Sequence, residues 1–476
     1  MTPIRDFLYA IDRAIWPLAE LSAKTVLAHN PQARFHLVCL DCEPPERSAV
    51  PIASHLRVST EEVRNYVKYD VGKYNFHWGY GAAARFFVQF MPHLHQVIYL
   101  DCDTICLKPV DIEPVRAVAC CRYTRYGAGS QGETAEYLNL VFPSGAAIAE
   151  AGVLVLNVDW MREVDFIARL YDGLESYQDL FRHRFYPENI ALVTRFPDDI
   201  TWLPLNYNAG LADFQRGRVA EADTIIYHVH QEVSGILPKI AFVENYLRTG
   251  PIHIAYITDG STGSIMMMEI SMRSVRRHNP SARFWVVSTL PLRGNFRNVV
   301  MPLPESLLFE ERPHCRHSRA NLLKFLLPRL PVERLVYLDT DTFCTGRLDA
   351  LWALTAKDGI HIAPHPDATR EAKELFGGTY YNAGVLALNL PWLRLIDFER
   401  RSLEWVPPTP AELPPHLWMA DETLLNTLWR DAFAPMPEAF NVTRPGRREG
   451  VIHHFCNSGQ KGRFLNTVAA LGGFDG

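Results

Sequence analysis

The chain carries one strand-and-carboxylate motif twice. VIYLDCDTIC, with Asp101 and Asp103, returns in the second half as LVYLDTDTFC, with Asp339 and Asp341. In each copy a run of β-prone apolar residues meets Asp-x-Asp at once, the pattern of a buried parallel strand that delivers two carboxylates to its carboxyl end. Open α/β sheets place their ligands at that end. Two carboxylates one residue apart can share a hard divalent cation, which usually completes its shell with substrate phosphates. The motif therefore predicts a metal-assisted phosphate site, built twice.

The repeat runs well beyond these strands, with matching segments in the same order. HNPQARFHLV pairs with HNPSARFWVV, and EAGVLVLNVDW (Glu150 to Trp160) with NAGVLALNLPW (Asn382 to Trp392), each followed by a stretch ending in Asp-Phe. ENIALVTRF from Glu188 pairs with ETLLNTLWR from Glu422, LPLNYN with MPEAFN, and IIYHVH with VIHHFC. A period of about a domain length points to tandem duplicated domains, since solenoid units run to roughly 20–50 residues. The 476 residues, at about 150 per domain and with large α/β units, favour two domains. The boundary is expected at Thr249-Gly250-Pro251, giving domains 1–249 and 250–476.

Each half reads as strand, helix, strand, helix, strand. In the second, IHIAYITD is a strand, MMMEISMRSVRRH a helix with apolar residues three and four apart, and FWVVS a strand. RANLLKFLLPRL is a further amphipathic segment leading into the Asp-x-Asp strand. The first half follows the same course from FLYAID through AAARFFVQFM. This is the α/β, doubly wound pattern.

A net charge of −5 argues against nucleic acid as a partner, which needs a basic face. Arg444, Arg447, Arg448, Lys461 and Arg463 make a local exception around the last histidines, beside the predicted phosphate site. No run of 18 apolar residues suggests a transmembrane span, and charges at Arg5, Asp6, Asp12 and Arg13 interrupt a secretory signal. The nine cysteines are odd in number and scattered, as in a reduced, cytoplasmic protein. Cys39 and Cys42 lack the second pair that would complete a zinc site.

These features together resemble the family 8 glycosyltransferases, the group of glycogenin and the lipopolysaccharide galactosyltransferases, which have the GT-A fold. The resemblance covers most of both halves. It rests on a first strand ending in Asp, a basic residue on the helix before LDxD, the LDxD itself, NAGVL, an acidic or amide pair, and a late His followed by an aromatic residue and then a Lys. It implies two tandem Rossmann-like GT-A domains and a transferase that moves a hexose from a nucleotide sugar, with uridine diphosphate as leaving group and retained α configuration. The acceptor would be a glycan, a lipid-linked saccharide or a protein, with peripheral membrane contact in the lipid-linked case.

In the second half the resemblance places Thr258 and Asp259 at the nucleotide and Lys324 close to the family's basic helix position, which Arg85 of the first half matches better. Asp339, Asp341 and His454 would hold manganese, or magnesium in its place; carboxylate oxygens with one imidazole suit manganese. Lys461 would pair with the diphosphate, although Lys461-Gly462-Arg463 stands where the family has Lys-Pro-Trp. Asn382 and Asp421 would hold the sugar's hydroxyls. Glu422 falls where the resemblance implies a glutamine near the reacting carbon, and a carboxylate there can act as nucleophile or stabilise an oxocarbenium-like centre.

The first half keeps Asp12, Arg85, Asp101, Asp103, Glu188 and His228, enough for a metal and a nucleotide. It departs at Glu150 for Asn382, at Pro187 for Asp421, and in having no lysine soon after His228; Lys239 is the nearest. Two organisations stay open: one active site per domain, or one C-terminal site with an acceptor-binding N-terminal domain. KYNFHWGY (Lys73 to Tyr80) could stack on sugar rings in either case. A sugar nucleotidyltransferase would be expected to carry a glycine-rich phosphate loop after the first strand, which neither IDRAIW nor TDGSTGS supplies convincingly. A non-catalytic carbohydrate binder would not need His454 and Lys461 beside the acidic pair. YGAGSQGETAEY (Tyr126 to Tyr137) and HPDATREAKELFGGTYY (His365 to Tyr381) have the Gly and polar content of lids.

Overall fold

The computed structural model describes residues 3–68, 80–122, 148–173, 187–215, 218–229, 234–294, 296–303, 319–366, 368–405, 421–443 and 450–456. By contact the chain divides into two compact units, Met1–Glu244 and Asn245–Gly476. The division falls inside the helix Ile236–Thr249, before the expected boundary at Thr249-Gly250-Pro251.

In the N-terminal unit the strands are β1 (Asp6–Ile11), β2 (Arg34–Leu40), β3 (Ile52–Val58), β4 (Gln96–Leu100), β5 (Thr104–Cys106), β6 (Val118–Arg122), β7 (Ala149–Asn157), β8 (Ile200–Leu203) and β9 (Ile226–His228). The main sheet has the order β3-β2-β1-β4-β7-β6-β8, and β5 and β9 form a separate two-stranded ribbon. The C-terminal unit repeats this with β10 (His253–Thr258), β11 (Arg283–Ser288), β12 (Arg297–Val300), β13 (Arg334–Leu338), β14 (Thr342–Cys344), β15 (Ile360–Pro364), β16 (Tyr381–Asn389), β17 (Phe433–Pro435) and β18 (Ile452–His454). Its sheet order is β12-β11-β10-β13-β16-β15-β17, with the ribbon β14-β18.

Both sheets are mixed. β4 runs parallel to β1 on one side and antiparallel to β7 on the other, and β13 is flanked in the same way by β10 and β16. The Asp-x-Asp strands are thus parallel on one edge only, because an apolar run fixes burial and not strand direction. Burial on both faces is visible in the alternation of side chains. Leu335 and Tyr337 of β13 join one core with Ala255 and Ile257, while Val336 and Leu338 join another with Ile254 and Tyr256. Period-two alternation with both faces apolar is what a strand covered by helices on each side requires.

The repeated sequence segments have repeated structural reasons. Asn157 and Asn389, the last residues of β7 and β16, cap the helices that follow by accepting from Trp160 N and Trp392 N, as short polar side chains do at this position. Asp165 and Asp397, before the repeated Phe, take the left-handed conformation with φ of 50° and 55°, a turn in which Asp is among the tolerated residues. RANLLKFLLPRL is not amphipathic: Arg319–Arg329 forms a 3-10 helix containing Pro328, and Leu322, Leu323, Phe325, Leu326 and Leu327 are all buried. AAARFFVQFM likewise passes from a single α turn into the 3-10 helix Arg85–Phe90. Among the described residues no helix is long and apolar enough to cross a membrane.

Candidate active site

β13 ends at Leu338, and the turn after it carries Asp339 and Asp341. Tyr337 lies two residues before Asp339, on the same face of the strand, and its hydroxyl donates to Asp339 Oδ1. β14 then pairs antiparallel with β18 in the register Thr342↔His454, so the ribbon carries the histidine to the carboxylates. His454 Nε2 lies 3.4 Å from Asp339 Oδ2 and 3.4 Å from Asp341 Oδ1. One ligand atom from each residue lies within 4.8 Å of the others, close enough to share one ion. On the far side of the ring, Nδ1 donates to Asn382 Oδ1 at 3.0 Å. This bond sets the tautomer that leaves Nε2 to a metal, the usual way in which a second polar group orients a metal-binding histidine. Two carboxylates and one imidazole fit a divalent cation such as manganese.

The glycine of NAGVL is explained by this approach. A Cβ on Gly384 would fall inside the imidazole of His454, and one on Gly152 would strike His228. Gly384→Ala is therefore expected to push the ring aside and lower cation affinity by about 10–100-fold, the range for disturbing a ligand's support; a manganese titration reads it, and unchanged affinity would contradict the placement.

Asn382 is the bracket of the site. Its Nδ2 donates to Glu422 Oε1 at 2.6 Å, while Oδ1 accepts from Gly384 N, Asn441 Nδ2 and His454 Nδ1. With these bonds made, Asn382 holds Glu422 and His454 in place while itself lining the cavity. Asp421 opens the helix Asp421–Leu428 and receives the ammonium of Lys324, which also lies 3.2 Å from Asp339 Oδ1 and donates to Ala383 O at 3.1 Å. Lys324 is buried beneath Asp339 and does not line the cavity. Burial lowers its pKa, but Asp339 and Asp421 more than offset this and raise it. Burial likewise works to raise that of Asp339, yet Lys324 and His454 hold it far below the usual carboxylate range.

Glu422 Oε1 also accepts from Ala383 N at 3.2 Å, while Oε2 is buried without a hydrogen bond at ordinary geometry. Burial, then the charge of Asp421, pushes its carboxyl up to about 7 from the ordinary 4.5. Between those values the native chain holds more protons than the unfolded one, so stability falls as pH rises through the window. Metal-free Glu422→Gln does not titrate there. It is expected to gain on wild type by on the order of 3 kcal/mol from below pH 4.5 to above pH 7, seen as a pH-dependent difference in melting temperature; a constant difference would contradict it.

A cavity of about 380 Å³ gathers these groups. It is lined by Thr258, Asp259, Asp339, Asp341, Asn382, Asp421, Glu422 and His454. Thr258 Oγ1 hydrogen bonds with Ser264 Oγ at 2.9 Å and accepts from Gly260 N, and Asp259 Oδ1 accepts from Ser261 N. Gly260 has φ of 82°, the left-handed region that glycine enters without strain. The strand thereby turns into the helix Thr262–His278 at the cavity wall. Asn321 lines the cavity as well, with no motif to single it out, and so does His365, the first residue of the His365 to Tyr381 segment. Asn441, which holds the histidine and Asn382, has a visible signal: both halves end the LPLNYN and MPEAFN segments in Asn. Lys461, the basic residues at 444–448 and Arg463 lie outside the described residues, as do residues 126–137 and all but Tyr80 of Lys73 to Tyr80.

The model of the Glycosyl transferase family 8 matches residues 218–461, just over half of the 476-residue chain. The chain belongs to this family. The chain is similar to the lipopolysaccharide 1,2-glucosyltransferase of Escherichia coli, 27% identical over 135 residues that make up 27% of this chain and 36% of that protein. It thus matches about a third of that relative's length. Among solved structures it is similar to the galactosyltransferase LgtC in complex with donor and acceptor sugar analogs, at 17% identity and a TM-score of 0.37, over 46% of this chain and 96% of that one. It is also similar to the glycosyltransferase GlyE of Streptococcus pneumoniae TIGR4, at 15% identity and a TM-score of 0.33, over 64% and 82% of the two chains.

The N-terminal unit builds a matching cluster. β5 pairs with β9 in the register Thr104↔His228, and His228 Nε2 lies 3.2 Å from Asp103 Oδ1 and 3.6 Å from Asp101 Oδ2. Asn208 Oδ1 accepts from His228 Nδ1 at 3.0 Å, and the Tyr99 hydroxyl donates to Asp101. Arg85 is buried against Asp101, its Nη1 3.3 Å from Oδ1. Glu188, in the first turn of the helix Pro187–Arg195, is buried, which raises its pKa, with Arg85 lowering it in part. Asp12 is exposed and spends Oδ1 on the backbone N–H groups of Ala14 and Ile15, fixing the turn into the helix Trp16–His29.

Proposed function

We propose that the C-terminal unit transfers a hexose from a nucleotide sugar, with uridine diphosphate as the leaving group, to a saccharide on a glycan, a lipid or a protein. One observation carries this reading. The carboxylates of Asp339 and Asp341, the Nε2 face of His454 and the buried carboxyl of Glu422 all border one cavity of about 380 Å³, so a diphosphate site and a group suited to an electron-poor carbon share one space.

Asp339, Asp341 and His454 would hold manganese, or magnesium in its place. Such an ion supplies positive charge to the diphosphate oxygens as the sugar–phosphate bond breaks. Thr258 and Asp259 meet the base or ribose, and Asp421 meets the sugar from the first turn of its helix. Asn382 keeps Glu422 in place, and Glu422 presents a carboxylate to the anomeric carbon as it gains positive character. The C1–O bond breaks with its electron pair going to the diphosphate, and the acceptor hydroxyl passes its proton to that departing diphosphate oxygen as its own oxygen bonds C1. The α configuration is kept. The named function of the Escherichia coli relative supports a saccharide acceptor. The eight described cysteines, all free, fit a reducing, cytoplasmic setting.

Nucleoside diphosphate release from a panel of nucleotide sugars, with manganese and saccharide acceptors, tests this reading. One donor class is expected to turn over only with the divalent ion, giving an α-linked product by NMR. Pyrophosphate release from a nucleoside triphosphate and a sugar phosphate would instead assign nucleotidyl transfer.

A further inference from the structure

The N-terminal cluster keeps both carboxylates and the histidine, but cations of the chain itself already hold the carboxylates. Lys239 Nζ donates to Asp103 Oδ2 at 2.6 Å, and the two side chains are 4% and 5% exposed. Arg85 lies 3.3 Å from Asp101 Oδ1, and Arg85 also donates to Ala151 O at 2.6 Å, which fixes it there. Lys239 stands in the first turn of the helix Ile236–Thr249, so its ammonium is delivered by a rigid element. In the C-terminal cluster, by contrast, the buried Lys324 is divided between Asp339 and Asp421. Pro187 at the position matching Asp421 removes that second acid from the N-terminal unit.

We propose that Lys239 is the resident cation of the N-terminal cluster, and that this cluster takes no divalent ion. A metal bound to Asp103 would need oxygen lone pairs that the ammonium now uses, and it would sit beside that ammonium where little water screens the repulsion. The donor set is right for a metal and the charge balance is not. The full chain then binds one divalent ion, at the C-terminal triad. The exclusion at the N-terminal cluster stands independently of the proposed transfer reaction; only the count of one rests on that reading.

Manganese binding to the full chain, counted from the loss of the free-ion electron paramagnetic resonance signal, tests the proposal without any assay of activity. Wild type is expected to bind one ion and Asp339→Asn/Asp341→Asn none. Adding Lys239→Met to the latter is expected to restore one ion, which a further Asp101→Asn removes. Lys239→Gln keeps a hydrogen-bond donor on Asp103 and serves the same purpose should the methionine variant not fold. An ion retained by Asp339→Asn/Asp341→Asn and lost on adding Asp101→Asn would overturn the proposal. So would a folded Lys239 variant that gains no site. If wild type binds none and Lys239→Met binds one, the C-terminal metal reading fails while this one holds.

Discussion

Replacing Asp339 and Asp341 together by asparagine is expected to lower nucleoside diphosphate release by about 10³-fold or more, the scale seen when charge stabilisation of a leaving group is removed. Asparagine keeps the shape of each side chain and one acceptor oxygen, so the strand and its apolar neighbours stay in place. What is lost is the negative charge that pairs with a divalent ion. The loss is expected in kcat/KM and not to be rescued by raising manganese, with circular dichroism confirming the fold. Turnover within a few-fold of wild type would contradict the assignment of these carboxylates.

The largest expected effect on stability is at Lys324. Its ammonium is buried, bonded to Asp421 and 3.2 Å from Asp339 Oδ1. Lys324→Met leaves the buried Asp421 carboxylate without its ammonium and half-buried Asp339 with His454 alone; breaking a buried pair in this way typically costs about 3–5 kcal/mol. For a unit of this size that corresponds to a fall of roughly 10 °C or more in melting temperature. The sign with pH follows from Asp339. Its pKa is held far below the ordinary 3.8, so the contribution of the pair is present above that value and is lost as pH falls through the depressed one. In the variant Asp339 protonates more readily, and the deficit is expected to shrink as the medium is acidified. Lys324→Met/Asp421→Asn, which removes both charges of one pair, is expected to recover part of the loss. A melting temperature unchanged by Lys324→Met would show that the buried pair is not formed in solution.

Much of the fold is legible in the chain because the duplication repeats each local cause. Apolar runs ending in Asp, Asn before a helix and Asp before a Phe recur because the strand ends, caps and left-handed turns recur. The paired histidines are legible too, since each lies in a short strand matched in both halves. Strand direction is not legible: β7 and β16 run antiparallel to their neighbours, and an apolar run looks the same either way. Nor is Arg319–Arg329 as a 3-10 helix, since its middle from Leu322 to Leu327 is buried all round and no period stands out.

At the site, groups that act through space escape the spacing of motifs. Lys239 follows His228 too distantly for a motif, yet the turn into its helix returns it to Asp103. Lys324 matches a family position, but its partner Asp421 lies 97 residues away in sequence, and only the fold shows that it serves buried carboxylates. Tyr99 and Tyr337, both two residues before the first Asp, could have been read from strand periodicity, because alternate residues share a face.

The most direct single measurement is calorimetric titration of uridine diphosphate into the full chain with manganese, for wild type and for Asp339→Asn/Asp341→Asn, since it needs neither the correct sugar nor an acceptor. Wild type is expected to bind only when the divalent ion is present, and the variant not to bind in the same concentration range. Equal affinity in wild type and variant, or binding that ignores the metal, would contradict a nucleotide-sugar site built on Asp339, Asp341 and His454.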